Sequence, residues 1–131
     1  MTIPHHHKLP YPPQAQEADG QHYWALLAGS EPQSDFSFKS KNLQIIYNNT
    51  SIPWTDASPH AHSESDEVYI VQEGLMAVTV DGVRVEVKAG EFLCIPAGTF
   101  HQLVEVVAPV KSFVVRSPSV RDKISSPHSE A

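Results

Sequence analysis

The fold is decided by residues 74–98, GLMAVTVDGVRVEVKAGEFLCIPAG. Gly74, Gly82, Gly90 and Gly98 recur every eight residues, and the runs between them (LMAVTV, VRVEV, FLCIP) are rich in Val, Ile and Phe. Short β-prone runs punctuated at this spacing mark an antiparallel sandwich or barrel. Asp81-Gly82 sits between two alternating runs and reads as a two-residue hairpin, because both central positions of that turn need positive φ. Val83, Val85 and Val87 then face one way, and Arg84 and Glu86 the other.

Outward from this stretch, further strands are expected at Phe36 to Phe38, Leu43 to Tyr47, Gln102 to Val107 and Val110 to Val115. His22 to Ala28 (HYWALLA) is apolar enough to pack, but seven residues leave helix and strand unseparated. No long amphipathic helical pattern interrupts the series. Residues 1–21 carry Pro4, Pro10, Pro12 and Pro13 with little apolar content and read as a flexible arm. Residues 116–131, with Pro118, Pro127 and four serines from Ser117 to Ser126, read as a loose tail. That leaves residues 22–115 as one all-β domain.

The 131 residues, 14.5 kDa, suit a single core. No apolar run approaches the roughly 20 residues of a membrane helix, so no membrane partner is expected. Nine Lys and Arg against fifteen Asp and Glu give a net charge of −6. The scattered basic residues form no stripe for phosphates, so no nucleic-acid partner is expected either. Cys94 is the only cysteine, which excludes an internal disulfide and multi-cysteine metal sites. The start shows no basic region followed by an apolar one, and a cytoplasmic location is the default expectation.

The chemistry lies in HAHSESDEVYIVQEG, residues 60–74. Residues two apart share a face on a strand but not on a helix, so His60 and His62 converge only in extended chain. Glu67 opens the run VYIV after a short polar turn, and His101 opens HQLVEVV after the Pro96-Ala97-Gly98 turn. Three imidazoles and one carboxylate are borderline ligands for a divalent transition ion and leave coordination positions open. Glu64 is a rival ligand by strict alternation with His60 and His62. Asp56 to Glu73 holds five acidic residues and no basic one, a run that attracts cations or is simply solvated.

These residues resemble the cupin superfamily. Its first motif is Gly, five residues, His-x-His, three or four residues, Glu, six residues, Gly. His60, His62, Glu67 and Gly74 fit it. Its second motif is Gly, five residues, Pro-x-Gly, two residues, His, three residues, Asn. Gly90, Pro96, Gly98 and His101 match at every spacing. The fifteen residues between Gly74 and Gly90 are those of compact single-domain bacterial members. The resemblance implies a double-stranded β-helix, the cupin jelly-roll barrel, with His60, His62, Glu67 and His101 around one divalent transition metal (Fe, Mn, Ni or Zn).

Two positions depart from the family pattern. Trp54 stands at the first motif's leading glycine, where an indole can line or cap the pocket. Glu105 stands at the second motif's asparagine, four residues after His101, where it either orients that imidazole, contacts a ligand, or faces solvent. Tyr69 shares the parity of Glu67 and points inward, toward a ligand or into core packing. Cys94 reads as a small buried hydrophobe. The His5 to His7 tract resembles an affinity tag, and His22 and His128 read as exposed. The resemblance implies an enzyme, an oxygenase or an isomerase or lyase, acting on a small oxygen-rich molecule, with no general base identifiable. The alternative is a sensor or accessory protein that binds without turnover. Members of this size are usually homodimers.

Overall fold

A computed structural model describes residues 4–9 and 22–125. The described chain is all-β: β1 (His22–Gly29), β2 (Phe38–Lys39), β3 (Gln44–Thr50), β4 (His60–His62), β5 (Asp66–Val80), β6 (Val83–Lys88), β7 (Phe92–Ile95), β8 (His101–Ser117) and β9 (Lys123–Ser125). HYWALLA is thus a strand, pairing antiparallel with β3 through Ala25↔Tyr47. The strands expected over Gln102 to Val107 and Val110 to Val115 are one continuous strand, β8. Among the described residues no helix is long and apolar enough to cross a membrane.

Two long strands organise the rest. β5 and β8 pair antiparallel from Asp66↔Ser117 to Val80↔His101. The first half of β5 is flanked by β7 (Glu67↔Ile95) and the second half by β6 (Val80↔Val83). The later half of β8 also pairs with β3, and its first residue pairs with β4 (His60↔His101). The described strands do not close into a ring, yet they curl around a single core of Tyr69, Val71, Met76, Val78, Val87, Ile95, Leu103, Val106 and Val110.

Parity along the long strands is reset by bulges. Tyr69 and Val71 point inward at odd positions, whereas Met76 and Val78 do so at even ones, with register breaks between Val71 and Leu75. An extra residue in one strand turns the side chains that follow to the opposite face. Gly74 sits in this break at φ +83°, and a Cβ there would lie 2.5 Å from the Pro109 carbonyl oxygen and 2.8 Å from that of Val107. Asp81 (φ 50°) and Gly82 (φ 80°) form the hairpin turn expected between β5 and β6.

The chain departs from the sequence reading over Phe36 to Phe38, where only Phe38 joins a strand (β2), in the tail, and at Cys94. Residues 116–125 are not a loose tail: β8 runs to Ser117, β9 pairs with β4 through Ala61↔Ile124, and Ser119 and Asp122 are buried. Serine and proline cannot build a core, but here the Ser117 hydroxyl donates to the Asn42 carbonyl and the Ser119 hydroxyl accepts from the Ser30 N–H, tying the segment to the barrel. Cys94 is exposed, because alternation along β7 turns Phe92 and Cys94 outward and Ile95 inward. In the arm, residues 4–9 are exposed and the His5 Nε2 lies 2.7 Å from the Phe36 carbonyl oxygen, while residues 10–21, the side chain of His22, and His128 lie outside the description.

Gly74→Ala is expected to cost about 2–3 kcal/mol, from steric overlap with two backbone carbonyls added to unfavourable φ. Gly82→Ala, where nothing lies within 4 Å of the new Cβ, is expected to cost about 1 kcal/mol. Urea denaturation midpoints of the two variants measure the difference, and equal losses would contradict it.

Candidate metal centre

β4 extends His60 and His62 toward one side of the core, and the turn of residues 63–65 returns the chain so that Glu67 arrives beside them on β5. His101 begins β8 directly opposite His60. Gly98 N–H donates to the His62 carbonyl at 2.7 Å, tying the turn before His101 to β4. As a result His60, His62, Glu67 and His101 each offer one ligand atom, and the four atoms lie within 4.8 Å of one another. The His101 Nε2 is 2.9 Å from one Glu67 carboxylate oxygen, and the His62 Nε2 is 3.4 Å from the other. The His60 and His101 ring centres are 4.4 Å apart.

This spacing suits a common ion. Donor atoms about 2.1 Å from a metal stand about 3 Å apart at right angles and about 4.2 Å apart on opposite sides. The Glu67 Oε1 and the His101 Nε2 are fully buried and face each other without hydrogen-bond alignment, so neither has a hydrogen-bond partner. Buried polar atoms are almost always satisfied, and two unsatisfied atoms aimed at one point fit a bound cation.

Hydrogen bonds on the far side of the His62 and His101 rings set their tautomers. The Thr99 carbonyl can only accept, so the His101 Nδ1 (3.0 Å away) carries the proton, and in the neutral ring Nε2 keeps its lone pair for the cluster. The Asp122 carboxylate does the same for His62, at 3.0 Å from Nδ1. His60 Nδ1 faces the Asp56 carboxylate at 3.9 Å. Burial pushes the Glu67 carboxyl up, but the approach of His101 and His62 outweighs it and holds the group down to about 2. Burial pulls His101 down, yet Glu67 and the Thr99 carbonyl leave it above the usual imidazole range. His60 is lowered, by burial first and by His101 second. Burial and the Glu67 charge raise the Tyr69 phenol well above 10.0, so it stays protonated.

Asp122 is the member that sequence reasoning missed. Its carboxylate accepts from the backbone N–H groups of Glu64 (2.9 Å) and Ser65 (2.8 Å) and from Arg116 (2.8 Å), besides meeting His62. Its side chain is fully shielded from solvent. Arg116 in turn donates to the Val120 carbonyl and to the Gln44 side chain. No spacing signal could have found Asp122, which lies sixty residues from His62 in a segment of tail-like composition.

The other expected residues fall as follows. Trp54 is half-buried, packs against the core, and lines a cavity of about 260 Å³ together with Tyr69 and Asp56. Tyr69 is buried and meets the His101 ring edge-on at 6.4 Å. Glu64 is exposed and outside the cluster. Glu105 neither orients His101 nor reaches the cavity: it is exposed and bound by Arg84. A register break between Ala77 and Val78 skips Val104 on β8, so the four-residue spacing from His101 no longer keeps the same face.

Burial raises the Asp122 carboxyl, but its backbone, Ser65 and His62 partners lower it from 3.8 to about 2. A depressed carboxyl stabilises the fold above its unfolded pKa, so about 2 kcal/mol is expected to be present above pH 3.8 and lost as the pH falls toward 2. Asp122→Asn is expected to be less stable at neutral pH and to lack this acid dependence, as measured by urea denaturation across pH. Asp122→Ala is expected to weaken zinc binding by ten- to a hundredfold through loss of His62 orientation, as measured by chelator competition.

Solved structures share this architecture. KdgF from a Halomonas species is 18% identical, with 82% of this chain and 86% of that chain covered and a TM-score of 0.61. The nucleoside dehydratase Pac13 of Streptomyces is 10% identical, with 92% of each chain covered and a TM-score of 0.64. The DMSP lyase DddQ of Ruegeria pomeroyi is 17% identical, with 95% of this chain but 61% of that chain covered and a TM-score of 0.62. At these identities the likeness is one of fold. No curated protein sequence matches the chain. The family model of the cupin domain matches residues 50–115, just over half of the chain, and spans all four clustered side chains, so the chain belongs to the cupin superfamily.

Proposed function

We propose that the chain is a metal-dependent enzyme acting on a small oxygen-bearing molecule, in which His60, His62, Glu67 and His101 hold one divalent transition ion. The observation that supports this most directly is the pair of buried, unsatisfied atoms, the Glu67 Oε1 and the His101 Nε2, within a four-donor cluster beside a cavity. A divalent ion bound there supplies a Lewis acid that polarises a substrate oxygen and stabilises an adjoining negative charge. Three imidazoles and one carboxylate suit iron, manganese, nickel and zinc alike.

The chain's own residues define the rest of the reading. Asp122 and the Thr99 carbonyl orient two of the rings. Tyr69 keeps its phenol proton beside Glu67, with its ring edge-on to His101 at the cavity wall. Met76, Leu103 and Trp54 line the same cavity and limit water around the reacting atoms. Proteins of this fold include a nucleoside dehydratase and DMSP lyases, so elimination lies within the reach of the architecture alongside oxygenation and isomerisation.

Replacing both His60 and His62 with alanine, in a chain whose His5 to His7 tract is also removed, is expected to abolish stoichiometric metal while leaving a folded β-protein. Elemental analysis and circular dichroism measure both, and undiminished metal would place the site elsewhere. Loaded in turn with iron, manganese, nickel and zinc, the intact chain is expected to turn over one member of a panel of β-hydroxy acids, nucleosides, keto acids and catechols. Oxygen uptake and product mass would show turnover. Tight binding without turnover across the panel would make the chain a binding protein.

A further inference from the structure

Both tryptophans of the chain, Trp24 and Trp54, line the same cavity of about 260 Å³. Tyr69 and Met76 add to its wall, and among the described residues Asn48 is its amide and Asp56 its carboxylate. The cavity adjoins the metal cluster through two of these residues: Tyr69 meets His101 edge-on, and Asp56 lies 3.9 Å from the His60 Nδ1. The Asp56 carboxylate is held in place, since its Oδ2 accepts from the Leu103 N–H at 2.9 Å. Asn48 is held too, with its side-chain amide donating to Ser112.

Among the described residues no lysine or arginine lines this cavity. The cationic side chains near the cluster, Arg116, Arg121 and Lys123, stand instead around the outer side of His62 with Asp122. Arg116 is engaged by Asp122 and Arg121 by Glu31. A divalent ion held by neutral imidazoles and Glu67 carries one net positive charge, and the fixed carboxylate of Asp56 cancels it. An anionic group moved from water into such a site loses its hydration, finds no lysine or arginine to replace it, and meets a metal centre whose net charge Asp56 has already cancelled. A flat ring, by contrast, gains contact with indole, phenol and thioether surfaces.

From these walls we infer that the cavity takes an uncharged, flat and largely apolar molecule presenting oxygen donors at one end, and that Asp56 turns anionic analogues away. This rests on the metal-site reading above and adds the charge and shape of what occupies the site. The cavity's size fits a single ring with a short substituent and falls below the usual range for drug-sized ligands, about 300–1,000 Å³.

The test uses two catechols that share a ring and a pair of adjacent hydroxyls. 4-Methylcatechol is uncharged at pH 7, and 3,4-dihydroxybenzoate is an anion. Isothermal titration calorimetry on the zinc-loaded full chain is expected to show 4-methylcatechol binding at least tenfold more tightly. Asp56→Asn is expected to shrink that ratio to within about threefold by strengthening the anion, and Trp54→Ala to weaken the methyl compound. Equal or tighter binding of the benzoate to the unaltered chain would overturn the inference, and an unchanged ratio in Asp56→Asn would overturn the role of Asp56. Zinc content measured on the same samples decides the metal reading separately. If zinc fails to load, quenching of the two tryptophans by the same pair of compounds reads the cavity alone, and no preference there would overturn this inference as well.

Discussion

The antiparallel ladder between β5 and β8, rolled until its opposite ends meet, is the constraint on which the rest of this molecule depends. In the register of that ladder Glu67 lies across from Arg116, while His101 lies across from Val80 at the other end. A flat ladder would hold the two about 40 Å apart. Their side chains are 2.9 Å apart because the sheet curls over and β4 links the ends, with His60 paired to His101 and Glu67 only five residues beyond His62. Three register shifts, between Val71 and Glu73, Glu73 and Leu75, and Ala77 and Val78, accompany the curl, and across them the parity of the side chains facing the core changes.

Curling alone does not aim the imidazoles. β4 is three residues long and meets β8 at a single residue pair, so its remaining support comes from β9 and from Asp122. One shielded carboxylate gathers two backbone N–H groups of the β4–β5 turn, the Arg116 guanidinium and the His62 ring. The turn that brings Glu67 back to the cluster and the ring that faces Glu67 therefore share one anchor. The C-terminal segment completes the candidate metal centre without supplying a ligand to it.

The site has two sides of different character. Toward the cavity lie aromatic and aliphatic surfaces with one fixed carboxylate, and toward the outer face of His62 lie guanidinium and ammonium groups. Backbone N–H groups, Ser65 and His62 keep Asp122 ionised, Asp122 orients His62, and among the described residues no lysine or arginine lines the cavity in front of the site.

How much of this could be read from residue order follows from the range of each interaction. Glycine spacing, the Asp81-Gly82 turn and period-two alternation are local, so the all-β architecture and the hairpin between β5 and β6 were legible. The two gapped motifs were legible as well, because His60, His62, Glu67 and His101 sit at strand ends whose spacing is fixed by short turns. Glu105 was left between the face of His101 and solvent because parity counting carries a residue to the correct face only while the ladder is regular, and a break at Val104 is invisible to it. Cys94 was misplaced because an apolar run does not say which of its members alternates outward. The sequence by itself determined the all-β class, the hairpin between β5 and β6, and which four side chains can act as ligands. Only the tertiary structure decided that Asp122 belongs with them and that both tryptophans share a cavity beside Asp56, since these contacts join segments tens of residues apart and arise only once the sheet has curled.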